Sequence, residues 1–396
     1  MATYRRGVYV EELPTSILPP VRTGTIIFAV GTASTGPVNE PRLIFTYDEY
    51  VNTFGYNGDY SKYTLDEVAD VAFKYERIAP VIFVNVFDPA VHLDANGNPD
   101  PTLVSSADVI GGIDATTGKK TGLELVDEVY PRFRILPSII IAPKFSADPS
   151  VATAINAKAT LVNGHFKAMG YVDVDVNLYT DAPAYLVNNG LKYPHLKALY
   201  GKGLLGEQFV NPSTLAACKK ARIDAENSNI PNQTVSNKPL PINDATIHLG
   251  LDEANYLAGQ GVIPLYNNAN GWVFWGTRTA AYPASTDPKD TFDNIRHMFN
   301  WLANEFILTL NQKVDSNITR RLIDTTLQSY QIRLDGLSAG EYILGGRIEF
   351  IEDSNPLTDL LDGIIKFNLY FTPPTPAKEI VGLIEYDPSY FQTLFK

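Results

Sequence analysis

Val81 to Phe87 reads VIFVNVF, a run in which apolar residues fill both parities of the chain instead of alternating with polar ones. A strand of that kind has to be covered on both faces, which is the situation of a parallel sheet lying between layers of helix. The residues before it supply a helix: Leu65 to Arg77 (LDEVADVAFKYER) sets Leu65, Val68, Ala69, Ala72 and Phe73 on one face. Earlier still, TIIFAVGTASTG is an apolar strand that runs into a small-residue turn, and PRLIFTYDEYVNTFG suits a strand followed by a short helix from about Tyr47. The expected fold class is therefore α/β, or mixed α+β, in a multi-domain chain.

The alternation resumes further on, with helix expected over Gly122 to Val129 and Val151 to Met169, and strand over Ser138 to Ala142 and Tyr171 to Val176. Two polar, Pro- and Asn-rich stretches bracket this part, DPAVHLDANGNPD from Asp88 and NSNIPNQTVSNKPLPIND ending at Asp244. Such clusters mark loops or linkers. They divide the chain into an inner domain of residues 26–88 plus 244–376 and an inserted outer domain of residues 89–243.

In the last third, Asp287 and Pro288 signal the start of a long helix whose apolar stripe is Phe292, Ile295, Met298, Phe299, Leu302, Phe306 and Leu310. A second helix is expected from about Asn317 to Leu334, then strands over Tyr342 to Ile351, Ile364 to Phe371 and Ile380 to Tyr386. The sequence TPPTPAK detaches the last of these. At the other end, GVYVEEL is followed by Pro14, Pro19 and Pro20. Proline blocks helix and removes backbone donors, so residues 1–25 and 377–396 read as two extended arms, each with one short strand.

Composition removes several functions. The net charge is −12, so the chain lacks the clustered surplus of Lys and Arg that neutralises phosphates, and direct nucleic-acid binding is not expected. No apolar run approaches a membrane span and the amino terminus has no apolar signal core, so no membrane insertion is expected. Cys218 is the single cysteine, which rules out an intrachain disulfide. The five histidines lack i, i+4 pairing, and no metal site follows from their spacing.

Three motifs imitate catalytic ones. Gly201 to Gly206 (GKGLLG) matches a dinucleotide fingerprint but lacks its strand-to-helix setting, and reads as a flexible surface loop. Gly111 to Lys119 (GGIDATTGK) is one residue too long for a phosphate loop and is followed by Lys120 where Ser or Thr should bind magnesium. Gly336 to Gly340 (GLSAG) follows a helix and precedes a strand, the reverse of a nucleophile elbow, which makes Gly336 a helix cap and Ser338 a turn residue. No catalytic residue and no cofactor is expected; the alternative is an α/β enzyme with a small-molecule site in residues 111–206.

Read together, several segments resemble the contractile tail-sheath family of phages, R-type bacteriocins and related injection systems. They are GVYVEEL with TIIFAVGTASTGPVNEPRLIFTYDEYVNTFG, then DVIGGIDATTGKKTGLELVDEVYPRFRILPSIIIAP, and above all Gly271 to Thr279 (GWVFWGTRT), an aromatic strand ending in W-G-x-R-T. The turn at Asn311 to Asp315 departs from the pattern, and residues 177–240 carry none of its motifs.

The resemblance implies a structural subunit, not an enzyme, that stacks as hexameric rings around an inner tube and contracts from a metastable extended state. Its partners would be copies of itself, the inner tube protein, and baseplate and tail terminator proteins. It would be assembled in the bacterial cytoplasm and end in a virion tail or a released tail-like particle. Val8, Tyr9, Val10 and Glu11 at one end, and Ile380, Val381, Leu383, Ile384 and Tyr386 at the other, are the candidate inter-subunit strands. Arg296, Arg320, Arg321 and Arg333 on the two long helices are candidates for contact with the tube.

Overall fold

The structure is a computed structural model that describes residues 24–395. The candidate strand at Val8, Tyr9, Val10 and Glu11 lies outside the described residues. Thirteen strands follow in chain order: β1 Ile27–Gly31, β2 Arg42–Ile44, β3 Val81–Asn85, β4 Ile139–Ile141, β5 Met169–Val174, β6 Leu196–Tyr200, β7 Gly203–Leu205, β8 Gln208–Val210, β9 Asp244–Ala245, β10 Val262–Asn268, β11 Gly271–Phe274, β12 Gly345–Glu349 and β13 Asn368–Thr372. The helices are α1 Tyr47–Phe54, α2 Thr64–Ala69, α3 Ser106–Ile110, α4 Val126–Phe133, α5 Pro149–Thr160, α6 Asp181–Asn188, α7 Pro212–Glu226, α8 Leu251–Ala258, α9 Pro288–Thr291, α10 Asp293–Leu310, α11 Arg320–Ala339 and α12 Leu357–Leu361.

Eight strands form one sheet in the order β11-β10-β6-β5-β4-β1-β3-β2, parallel throughout except for the antiparallel edge strands β2 and β11. The both-parity runs behave as their composition requires. Ile27 and Ala29 of β1, with Val81 and Phe83 of β3, enter a core shared with α1, α2 and α7. Phe28, Val30, Ile82 and Val84 enter the opposite core, shared with α3, α4, α5, α6 and α8. A third core belongs to α10, α11, β12 and β13, around Met298, Leu302, Tyr330, Leu334 and Ile348.

The expected division at residues 88/89 and 243/244 does not follow the sheet. Strands β4, β5 and β6 come from the segment read as an inserted domain, yet β4 pairs directly with β1. The cause is compositional. DPAVHLDANGNPD is a surface loop closed on itself by a Leu93 to Pro99 bridge and by Asp94 Oδ1 accepting from the Asn96 and Asn98 amides. The second polar stretch is pinned to the sheet edge, where Ser236 and Pro239 bridge to β11 and Val235 is fully buried. Loops and linkers share one vocabulary of residues, and only pairing tells them apart.

Smaller differences lie at helix ends. Asp287 caps α9, a single turn that breaks at Phe292 before α10 begins. Helix α11 runs on to Ala339 and is capped by Gly340, so Ser338 is helical and Gly336 is not the cap. GKGLLG is no loose loop: β7 and β8 form a hairpin within it and beyond, and any Cβ on Gly203 would meet Leu215 at 2.8 Å.

Candidate functional site

The α10, α11, β12 and β13 unit is joined to the sheet through α10, whose setting begins with GWVFWGTRT. Strand β11 buries Trp272, Val273 and Phe274, and the chain then turns at Gly276, where φ is 138° and a Cβ would lie 2.7 Å from Ile263. The Arg278 guanidinium sits 4.2 Å from the Tyr282 ring centroid and 4.0 Å from that of Phe292, and it donates to Thr291 Oγ1. That clamp fixes where α10 starts.

Helix α10 is buried on two sides of different chemistry. Met298 and Leu302 pack toward α11 and the ribbon, whereas Asp293, His297, Asn300 and Asn304 face the amino ends of the parallel strands and are themselves buried, and the buried Asn294 donates instead to the Asn232 carbonyl. Asp293 pairs with Lys197 of β6, both side chains having no exposure. Burial pushes the lysine pKa down, opposed by the aspartate beside it. Asn300 Nδ2 donates to the Ala168 carbonyl and Asn304 Nδ2 to that of Lys167, each at 2.8–2.9 Å. His297 lies 3.2 Å from the Tyr171 hydroxyl, and burial holds its pKa well below the usual imidazole value. Buried charge and amide groups accept few geometries, so this face fixes the register of α10 on the sheet.

On the far side of α10 and α11 lies the ribbon. Strands β12 and β13 pair antiparallel over five residues each, with Phe371 against Phe299 at a ring-centroid distance of 4.3 Å. A lone two-stranded ribbon is marginal in water and needs a cover. The helices supply that on one face only. The Gln331 side chain meets the outer edge of β12, its Nε2 donating to the Gly346 carbonyl and its Oε1 accepting from the Ile348 amide. Strand β13 has no strand partner other than β12 among the described residues.

Beyond β13 the chain has no regular structure until Pro388. Ile380, Val381, Leu383, Ile384 and Tyr386, expected to form a strand, pair with nothing among the described residues, and Ile384 is 99% exposed. Tyr390, Phe391, Leu394 and Phe395 continue the exposed apolar series in a 3-10 turn over Pro388–Phe395. So much uncovered apolar surface in one segment is unusual for a folded chain.

The four arginines do not form a patch. Arg296 is buried, its Nη1 donating to Asp290 Oδ1 at 2.8 Å. Arg333 is bound by Glu305 through Nε at 2.6 Å and Nη2 at 3.3 Å. Arg320, paired only with Asp324 one turn on, and Arg321 are exposed at the start of α11. The reading as outward charge is corrected for Arg296, which is buried, and for Arg333, which is half-buried and held by Glu305.

A doubly wound sheet offers ligands the crevice where its strand order reverses, here at the carboxyl ends of β1 and β4. The chain fills it. Thr32 Oγ1 donates to the Lys62 carbonyl, Thr64 Oγ1 accepts from the Thr32 amide, and Lys144 Nζ donates to the Ser61 carbonyl. A Cβ on Gly31 would strike Thr64 Oγ1 at 2.2 Å. The phosphate-loop imitation at residues 111–119 is an exposed hairpin tip with Asp114 Oδ1 accepting from the Thr116 and Thr117 amides. At Gly111 and Gly122 a Cβ would meet backbone oxygens at 1.9 Å and 2.4 Å, so these glycines serve a close chain crossing. Among the described residues no group of three His, Cys, Asp or Glu is placed to hold a metal.

Sequence reasoning missed three residues that build the site, Lys197, Asp293 and Gln331. Lys197 had a signal, a lysine inside the apolar run LKALY.

No family model matches the chain. It is 24% identical to the "Tail sheath protein" of Burkholderia phage BcepMu over 99% of both chains. It is also 24% identical to a "Putative prophage major tail sheath protein" of Pseudomonas aeruginosa, over 89% of this chain and 87% of that one. Among solved structures it is similar to the helical sheath of the anti-feeding prophage in its contracted state, at a TM-score of 0.69 and 15% identity, covering 97% of this chain and all of the other. A crystal structure of a sheath tail protein from Desulfitobacterium hafniense matches with a TM-score of 0.55 and 11% identity over 87% of this chain and 93% of that one.

Proposed function

We propose, from the premise that the chain belongs to the contractile tail-sheath family, that it polymerises with copies of itself as stacked hexameric rings around an inner tube. Neighbours are joined when terminal arms add strands to a sheet on the next subunit. The sheath then contracts from a metastable extended state and drives the tube through a target cell envelope. The role is mechanical, with the chain's own edges in place of a catalytic site.

One observation carries this reading: the chain holds a two-stranded sheet and, a few residues later, an extended apolar segment, and among the described residues neither finds a further strand partner. Unpaired backbone along an edge is satisfied by an added strand, and alternate side chains supply the fit. The proline-rich TPPTPA between β13 and Ile380 keeps the segment from folding back. Val8 to Glu11 is the corresponding strand at the other terminus. An arm that stays paired while bodies rotate lets the lattice shorten without coming apart. No nucleotide is needed, because two packings of the same interfaces that differ slightly per subunit sum to large work over a long sheath.

Arg320 and Arg321 are the two arginines left to meet the tube, through a weak and separable charge contact. Baseplate and terminator proteins would meet the two ends of the polymer. The chain would be assembled in the bacterial cytoplasm and finish in a virion tail or a released tail-like particle.

Electron microscopy of the purified chain tests the reading. Regular hollow tubes are expected; monomers that persist across salt concentrations overturn it.

A further inference from the structure

The amino ends of β1, β3 and β4 border a hollow of about 450 Å³ whose wall includes Gly24, Thr25 and Ile26 themselves. Ile26, Phe45, Ile78, Pro80, Ile135 and Ala225 give it an apolar lining, and Phe45 stands 52% exposed at its rim. Two arginines, Arg77 and Arg134, also line it, both exposed. Among the described residues neither guanidinium has a hydrogen-bond or ion-pair partner, although that of Arg134 lies 5.8 Å from the Tyr130 ring.

The backbone of this rim is costly. Arg77, Arg134 and Asn229, three non-glycine residues of one hollow, have φ of 53°, 58° and 61°. Left-handed geometry at such residues costs free energy and collects where a surface is shaped for a contact.

We infer that the hollow is the seat of this chain's own residues Ile17 to Val21 (ILPPV), which fixes where the amino-terminal arm leaves the body. Gly24, the first described residue, lines the hollow, and the seven residues from Ile17 to Thr23 reach up to about 23 Å when extended, enough to cross it. Ile17, Leu18 and Val21 match the apolar lining. Consecutive prolines such as Pro19 and Pro20 favour an extended backbone without internal hydrogen bonds, and two arginines that have no partner among the described residues are suited to donate to its carbonyls.

The docking stands on this surface alone. Only its consequence rests on the sheath reading: an arm anchored at Ile17 leaves 16 residues to reach a neighbour, a span of at most about 55 Å.

The test is made on the dilute full-length monomer, apart from any tube formation. Ile17→Cys, Leu18→Cys and Val21→Cys are each combined with Ala225→Cys and oxidised. The native Cys218 is fully buried. An intrachain disulfide is expected in at least one pair. Interchain dimers would assign the hollow to a second copy, and no disulfide in any pair would leave the segment elsewhere; either result overturns the inference.

Trypsin gives a second measure. Cleavage after Arg22 should be about tenfold slower than after Arg6, because it then needs the segment to open first. Leu18→Asp should erase the difference, and equal rates in the unmodified chain would overturn the docking.

Discussion

The eight-stranded sheet and the β12–β13 ribbon are built from similar residues and end in opposite conditions. Every core strand of the sheet is flanked, its edges are antiparallel strands, and its ligand crevice is plugged by residues 61–64. The ribbon is covered on one face, its β12 edge touches a single glutamine, and an uncovered apolar segment follows it. The first region has its strands and crevice satisfied from within, whereas the second leaves backbone and apolar surface open among the described residues. The chain keeps the two apart and couples them through the polar face of α10.

The sharpest break in that comparison comes from removing residues 377–396. None of the apolar residues from Ile380 to Tyr386 is buried, so thermal stability should change by less than about 0.5 kcal/mol. Tube formation should disappear. A truncated chain that still makes tubes under the microscope would mean that the ribbon is not completed by this segment. Deleting residues 1–13 is expected to act alike, leaving a folded monomer that cannot polymerise.

The coupling between the regions comes next in size. Asp293→Ala leaves Lys197 charged and alone in a fully buried site, which costs about 3–5 kcal/mol. Urea unfolding should show that loss, and the double variant Lys197→Met with Asp293→Leu should recover most of it. If the single variant instead splits the transition into two steps, the sheet and the ribbon unit fold separately and α10 is a weaker joint than its burial suggests.

That joint is also where sequence and structure part company. The strands at Val81 and Ser138 were readable because a run without alternation has only one comfortable setting, and α10 was readable from Ile295, Met298 and Leu302. Its other face was not. Asp293, Asn294, His297, Asn300 and Asn304 look solvated in a sequence, and their partners are all remote along the chain: the ammonium of Lys197, the hydroxyl of Tyr171 and the carbonyls of Lys167, Ala168 and Asn232. The same blindness sent Arg296 and Arg333 to the surface. The carboxyl-terminal segment was legible only as a break after β13, because prolines act locally; the strand expected over Ile380 to Tyr386 does not form among the described residues.

A further contrast within the sheet body concerns pH. Glu67, fully buried, accepts from Thr214 Oγ1 at 2.6 Å and Asn211 Nδ2 at 2.9 Å, yet burial outweighs these donors and pushes its pKa up to about 8. The folded state therefore keeps a proton that the unfolded chain gives up near the ordinary glutamate value. Stability from this group falls as pH rises from about 4.5 toward 8 and is level above that, a loss on the order of 5 kcal/mol. Glu67→Gln should flatten the profile in denaturant titrations at pH 5 and pH 8. An unchanged slope would mean that the carboxyl is ionised in place.

The smallest effect on folding, and the most telling for the ribbon side, is expected from Arg320→Ala with Arg321→Ala. The side chain of Arg320 is 88% exposed and its pair with Asp324 spans one helical turn, so the double change should shift stability by under about 0.5 kcal/mol. On the proposed sheath function, a tube contact at these arginines has to release during contraction and so has to be weak, and a screened charge pair has that property. Sheath assembled on tube should therefore shed the variant at lower salt than the parent chain, read by sedimentation across a salt series. Equal release would move the tube contact off α11, leaving the ribbon and its segment as the part of this unit that meets other chains.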